Sequence, residues 1–405
     1  MTGVSLVNQG VLQPYFQPIL SLDHFRVIGY EALGRKVTPL GEESLGPYFA
    51  NPDIHDGDKR VVDRALRRQA LAKLSSFEGD CKLFLNVKPS WIYDYRNRPD
   101  EIPTLRFLEE LGVDGSRIVL ELTEDQFDGE LSLLHEVLSV YRSKGCQIAI
   151  DDMGIGFSNF DRVAFLEPEY MKIDLHFVRN SRHFASYRSL LQAFSSVAEH
   201  IGSSLLLEGI ETEDDVELAL AHGARYLQGF YFSRAKPDFF DAGEFVTSLS
   251  ALSKRYYSAQ SQALNAAFDV GLDIVNVVAR VRGLLRLRTS TDRDDLDGFV
   301  RWLTARMSSV CCRAYICAAD GTQLSYNYAR TDSGMWEVSK YRKGCNWAWR
   351  PYFLESIAAM NRSQQGILSK LYRDIDSLKA IRTFSCPLHD DHYLFVDLDV
   401  DQLAR

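Results

Sequence analysis

From residue 80 to about 232, short apolar runs alternate with amphipathic stretches. The runs are KLFLNV (82–87), RIVLELTE (117–124), QIAIDDMG (147–154), YMKIDL (170–175), SLLLEGIE (204–211) and ARYLQGFYF (224–232). Continuous Leu/Ile/Val stretches of this length suit strands buried on both faces, as in a parallel sheet. Between them, LSLLHEVLSVYRSKG (131–145) and YRSLLQAFSSVAEHIG (187–202) read as helices stopped by glycine. TEDDVELALAHG (212–223) reads as a third, with a Thr N-cap and acids in its first turn. Alternating strand and helix predicts an α/β fold, and so many repeats within 240 residues favour a TIM-like (β/α) barrel over an open sheet.

After Pro237 the pattern changes. Residues 238–307 carry helical periodicity, interrupted around the polar TSTDRDD (289–295). From about 308 strand signals return. CRAYICAADGTQLSYNYA predicts a hairpin turning at Asp320-Gly321, and FSCPLHDDHYLFVDLDV (384–400) predicts a second hairpin closing a small α+β domain. The expected organisation is a barrel over 1–240, a helical linker over 241–305 and the small domain over 306–405.

Composition supports folded domains: 46% of the 405 residues are hydrophobic and 25% charged. The net charge of −9 argues against gripping long nucleic acid through its phosphates. A phosphorylated ligand would have to be handled locally, through cations held by the acids. Seven cysteines form no CxxC pair and read as reduced thiols rather than as a disulfide framework or zinc site. The first residues lack the basic and apolar regions of a signal peptide, and nowhere do about 18 apolar residues run together. A cytoplasmic protein without a membrane span is expected.

The chemistry concentrates at the ends of the predicted strands. Asn86, Glu121, Asp151 with Asp152, Lys172 and Glu208 close successive apolar runs, and Glu31 follows another in VIGYEALGR. Barrel enzymes place their sites on that rim. Any one of these acids could instead be a solvated loop residue or an N-cap. Five of them with an Asn and a Lys on one rim cannot all ionise without compensation, and divalent cations supply it. Oxygen ligands of this kind suit Mg²⁺ or Mn²⁺ rather than zinc.

YFQPI (15–19), EALGR (31–35), NVKPS (86–90), ELTE (121–124), DDMGIG (151–156), KID (172–174), EGIE (208–211) and QGF (228–230) follow one another in this order. Together they resemble the bacterial EAL-domain family, phosphodiesterases of the cyclic dinucleotide c-di-GMP. The resemblance implies hydrolysis to linear pGpG with two Mg²⁺ or Mn²⁺ ions, inhibition by Ca²⁺, and a homodimer. It implies metal-ligand roles for Glu31, Asn86, Glu121, Asp151 and Asp152, water orientation by Lys172, and a general base, or by another account a metal ligand, at Glu208. Glu124 matches the glutamate that steadies the loop after the DD pair. Gln17, Arg35, Asp174, Glu211 and Gln228 match substrate-binding and rim positions. The loop departs from the family's usual DDFG: Met153 keeps an apolar plug without the rigid ring. The rival expectation is a c-di-GMP receptor with a silent catalytic site. An unrelated Mg²⁺-dependent barrel enzyme would not need the QPI, EALGR and QGF strings together.

The tail resembles the PAS/Cache-like domains that follow EAL in YkuI-type proteins. Trp349, Arg350 and Tyr352, with Trp347 before them and Tyr372 and Asp374 after an intervening helix, could seat a small zwitterionic or carboxylated ligand. The alternative is a core cluster with a surface ion pair.

Overall fold

The computed structural model describes residues 10–123, 127, 129–153, 159–285, 295–331, 333–374, 377, 379–388 and 391–403. Two units divide at Tyr256/Tyr257.

Among its described residues the first unit is built on nine strands: β1 (Val11–Ser21), β2 (Arg26–Thr38), β3 (Gly41–Ser44), β4 (Lys82–Val87), β5 (Ile118–Leu122), β6 (Gln147–Met153), β7 (Tyr170–Ile173), β8 (Ser204–Leu207) and β9 (Tyr226–Leu227). Their order is β1-β9-β8-β7-β6-β5-β4-β2-β3, and β1 also pairs β2, so eight strands close into a barrel and β3 extends β2 outside it. The pairings from β2 through β4 to β9 are parallel, whereas β1 runs antiparallel to both of its neighbours. That hairpin start departs from an all-parallel barrel. The helices alternate as expected: Leu131–Ser143 and Ala185–Ile201 stop before Gly145 and Gly202, both at positive φ. Thr212 caps Glu213–Ala221 in a reciprocal capping box with Asp215.

The barrel interior is filled in layers. Ile19, Phe84, Val119, Ala149, Tyr170, Leu206 and Tyr226 form a buried apolar plug, one side chain from each of seven strands. The eighth strand contributes Gly29, where a Cβ would lie 3.0 Å from the Phe84 ring. The opposite faces of the strands pack on the surrounding helices in a second, larger core.

The second unit carries a seven-stranded antiparallel sheet: β10 (Cys311–Ala318), β11 (Asn327–Arg330), β12 (Trp336–Ser339), β13 (Ile367–Leu368), β14 (Tyr372–Arg373), β15 (Ala380–Pro387) and β16 (His392–Asp399). Both predicted hairpins are present, as the β10–β11 and β15–β16 pairs, and Gly321 in the first turn has φ +91°. The helix Val246–Leu285 spans the division. Leu249 and Leu252 enter the core of the first unit, while Ala267, Ile274 and Val278 enter the core of the second.

Candidate functional site

Strand periodicity builds the site. Side chains two residues apart share a face, so the layer above the apolar plug is Asn86 on β4, Glu121 on β5, Asp151 on β6 and Lys172 on β7. Glu208 and Gln228 follow at the ends of β8 and β9. Gln17 on β1 and Glu31 on β2 face each other in register and complete the ring.

Lys172 lies at the centre of this layer, fully buried. Its Nζ is 2.5 Å from Glu208 Oε1, 2.7 Å from Glu121 Oε1, 3.1 Å from Asp151 Oδ1 and 3.8 Å from Glu31 Oε2. Amides flank Glu31 on both sides: Asn86 Nδ2 donates to Oε1 at 2.7 Å, and Gln228 Nε2 to Oε2 at 2.6 Å. Gln17 accepts from Gln228 at 3.3 Å and donates to the Ser233 carbonyl.

Consecutive strand residues ordinarily point to opposite faces, yet Asp151 and Asp152 reach the same rim. A β-bulge between Ile150 and Met153 and the left-handed φ of +51° at Asp152 turn the second carboxylate back. Carboxylate oxygens of Asp151, Asp152 and Glu208 consequently lie within 4.8 Å of one another. Met153 then returns to the core, fully buried.

The electrostatics follow from burial. Desolvation raises the Glu121, Asp151 and Glu208 carboxyls, Glu208 to about 8, against the pull of Lys172. Burial also acts on Glu31, but Lys172 and the two amides outweigh it and hold that carboxyl low. For Lys172 the surrounding carboxylates outweigh desolvation and hold the ammonium well above its ordinary value. Both Glu121 oxygens and Asp151 Oδ1 are buried, and the Lys172 ammonium faces Glu121 Oε1 and Asp151 Oδ1. Hard oxygen donors in this state fit divalent cations. Five carboxylates and one ammonium leave a formal −4, which two such cations would balance.

A cavity opens on each side of the ring. The larger, about 400 Å³, is lined by Asn86, Asp151, Asp152 and Arg35, and also by Asp63, Arg67, Lys88 and Trp91. The smaller, about 290 Å³, holds Gln17, Glu31, Glu208, Gln228, Asp174 and Glu211. Asp174 caps the helix Leu175–His183, accepting from His176 N at 2.6 Å, and Glu211 pairs with Arg179 at 2.9 Å. Glu124 lies outside the described residues. Sequence reasoning missed Asp63, Arg67, Lys88 and Trp91. Asp63 and Arg67 pair at i,i+4 spacing, as ordinary helix-surface ions do.

The EAL domain model matches residues 5–235. The chain belongs to the EAL-domain family. A second model, the EAL-domain associated signalling protein domain, matches residues 248–404. The uncharacterised EAL-domain protein YkuI of Bacillus subtilis is 33% identical over 98% of this chain and 97% of its own length. The crystal structure of that YkuI protein, in complex with substrate c-di-GMP and calcium, superposes with a TM-score of 0.86 at 31% identity, covering 98% of this chain and 99% of YkuI. The cyclic di-GMP phosphodiesterase RocR of Pseudomonas aeruginosa is 28% identical over 57% of this chain and 59% of its own. The EAL fold expected from the sequence, a barrel followed by a domain with a β-sheet, is the fold observed.

In the second unit, Arg350, Tyr372 and Asp374 line one cavity with Trp347, but the arrangement differs from the expected one. Trp349 is 66% exposed and does not line it, and the Tyr352 side chain lies outside the described residues. Asp374 is gripped by Arg313 through two hydrogen bonds of 2.7 and 2.6 Å. Arg313 and Asp397 were missed, although each interrupts an apolar strand (CCRAYICA, HYLFVDLD).

Proposed function

We propose that the chain is a metal-dependent phosphodiesterase that opens c-di-GMP to linear pGpG. The observation that carries this reading is the single rim layer of five carboxylates around Lys172, with the DD pair turned to one side. Glu31, Asn86, Glu121, Asp151 and Asp152 would hold two ions, Mg²⁺ or Mn²⁺. Bound there, the ions supply activation of water and neutralisation of charge growing on phosphate and leaving oxygen.

The remaining steps belong to the chain's own residues. Lys172 holds fixed positive charge beside the reacting phosphate. Glu208, with a carboxyl raised to about 8, is a strong enough base once ionised to take the proton of the attacking water. Cavities on either side of the carboxylate layer match a ligand with two bases about a central ring, held by Gln17, Arg35, Asp174, Glu211 and Gln228. The second unit is read as a PAS/Cache-like regulatory domain, the chain as a homodimer and its location as cytoplasmic. Among the described residues no helix is long and apolar enough to cross a membrane.

The test is purified full-length protein with c-di-GMP and Mg²⁺ or Mn²⁺, products resolved by chromatography. Production of pGpG is expected, abolished by exhaustive chelation and blocked by Ca²⁺, whose longer bonds and looser geometry position water poorly. Full activity after chelation refutes the metal assignment. Tight binding without turnover in any divalent metal makes the chain a c-di-GMP receptor instead.

A further inference from the structure

We propose that the helix Val246–Leu285 pairs with its counterpart in a second copy of the chain, antiparallel and about a two-fold axis, through an apolar face running from Tyr257 to Leu272. This deepens the homodimer reading above and rests on it. The side of the helix turned to the second core is set by packing. Ala267, Ile274 and Val278 enter that core, and Gly271 lies so close to the sheet that a Cβ there would come within 2.4 Å of the Phe384 ring. At about 3.6 residues per turn, Tyr257, Leu264, Phe268 and Leu272 share a second stripe, roughly a quarter turn around the helix from the first. They are 60%, 38%, 45% and 60% exposed. The water-facing side of a helix ordinarily carries polar residues, so large apolar side chains in one exposed row mark an interaction surface.

Charge identifies the occupant. Between residues 254 and 273 the helix carries only Lys254 and Arg255 at one end and Asp269 and Asp273 at the other. Arg255 pairs with Glu213 and Glu217, whereas Lys254, Asp269 and Asp273 have no ion-pair partner among the described residues. A parallel copy would set lysine beside lysine and aspartate beside aspartate. An antiparallel copy sets Lys254 of each chain toward the aspartates of the other, so the helix is complementary to itself, as a two-fold interface requires. One register satisfies both the apolar and the charged pattern. With Tyr257 opposite Phe268 of the second copy, Ser261 falls opposite Leu264, a small residue against a large one, and Lys254 falls opposite position 271. Asp269, at the border of the stripe, then lies about 3 Å along the axis from Lys254, within reach of its flexible side chain. The two-fold axis forms the aromatic pair and the ion pair twice.

The experiment is sedimentation velocity of the full chain across a wide concentration range, without nucleotide. The wild type should dimerise. Phe268→Glu should raise the dimer Kd about a hundredfold or more, since each interface loses two buried rings and gains two unpaired carboxylates. Lys254→Glu should raise it about tenfold, the scale of two exposed ion pairs turned repulsive. Adding Asp269→Lys and Asp273→Lys to Lys254→Glu should restore the wild-type value, because the exchange of signs leaves an antiparallel pair complementary. Circular dichroism should be unchanged in every variant. A dimer that both Phe268→Glu and Lys254→Glu leave intact overturns this interface while the homodimer reading stands. A wild type that is monomeric at every concentration overturns both. A dimer that Lys254→Glu strengthens, or that the combined exchange fails to restore, overturns the antiparallel arrangement.

Discussion

Lys172→Met tests the electrostatic design of the barrel without reference to turnover. The substitution keeps an unbranched chain of similar length and removes the one ammonium that faces Glu31, Glu121, Asp151 and Glu208. At contacts of 2.5–3.1 Å and an effective dielectric of about 20, each attraction amounts to several kcal/mol before desolvation is subtracted. Removing one member of a buried ion pair typically costs about 3–5 kcal/mol, because the charge left behind has neither partner nor water. For a unit of 256 residues that corresponds to a melting temperature lower by roughly 6–20 °C. The carboxyls can reduce the penalty by taking up protons, which makes it depend on pH. A group whose folded pKa is raised contributes stability that is present at low pH and lost as pH rises through the folded value. Glu121, Asp151 and Glu208 are already raised beside the lysine, Glu208 to about 8, and rise further without it. The difference between variant and wild type should thus be small near pH 5.5 and largest near pH 8.5. Mg²⁺ or Mn²⁺ at about 100 times its dissociation constant should restore roughly 2.7 kcal/mol. The assay is thermal unfolding in EDTA at both pH values, repeated with each metal. A variant within about 2 °C of wild type in EDTA at pH 8.5, or a penalty that shrinks as pH rises, would refute the reasoning.

Glu208→Gln should leave c-di-GMP affinity within about tenfold and lower turnover by roughly 10² or more, the scale of a lost general base, measured by calorimetry and product chromatography. Glu31→Ala should damage metal affinity and turnover together, since it removes the carboxylate that Asn86 and Gln228 hold in place. His222 is held neutral, its pKa lowered to about 4 by burial and by Arg188, with Nδ1 buried and unpaired. The unfolded chain binds a proton there between about pH 4 and 6.5 that the folded chain does not, so stability should fall on acidification through that window, by at most about 3 kcal/mol. Urea titrations of wild type and His222→Gln should differ in slope there and nowhere else. Asp215 accepts hydrogen bonds from Arg182 and from the Glu211 and Thr212 amides, so Asp215→Asn should cost about 1–3 kcal/mol in the same titrations.

The barrel was legible because two physical periods coincide in its sequence. Strands buried on both faces must be largely apolar, so the polar residue near the carboxyl end of each (Asn86, Glu121, Lys172) stands out. The sequence places Asp152 on the rim by its position at a strand end, without the backbone event that turns it there. Strict alternation sends it outward, and only the bulge and positive φ, a local backbone event, bring it back. The antiparallel β1 was hidden for a related reason: a hairpin start and a parallel start leave the same apolar composition. In the second unit the expected pocket includes Trp349, which is exposed, beside Trp347, Arg350, Tyr372 and Asp374, which line one cavity. Arg313 and Asp397 were informative in another way, as charges inside apolar strands whose meaning depends on strand pairing. Register places them opposite each other, and register is set by long-range contacts that no local pattern records.

A receptor for a cyclic dinucleotide requires walls for two bases and donors for two phosphates, and gains nothing from burying carboxylates that repel those phosphates. Glu121 is fully buried and shares the Lys172 ammonium with Glu31, Asp151 and Glu208, and Asp151 Oδ1 is buried beside it. Each is a cost to folding that Lys172 alone offsets only in part, since three of the four carboxyls around it remain raised. Divalent cations remove that cost, and at this rim they also supply the charge that an attacking water and a departing oxygen require. Binding dinucleotide in such a site without metal should therefore be weak, and affinity should rise with divalent cation rather than with monovalent salt. A c-di-GMP affinity that is tight in EDTA and indifferent to Mg²⁺, Mn²⁺ and Ca²⁺ would mean that the carboxylate layer serves the fold alone.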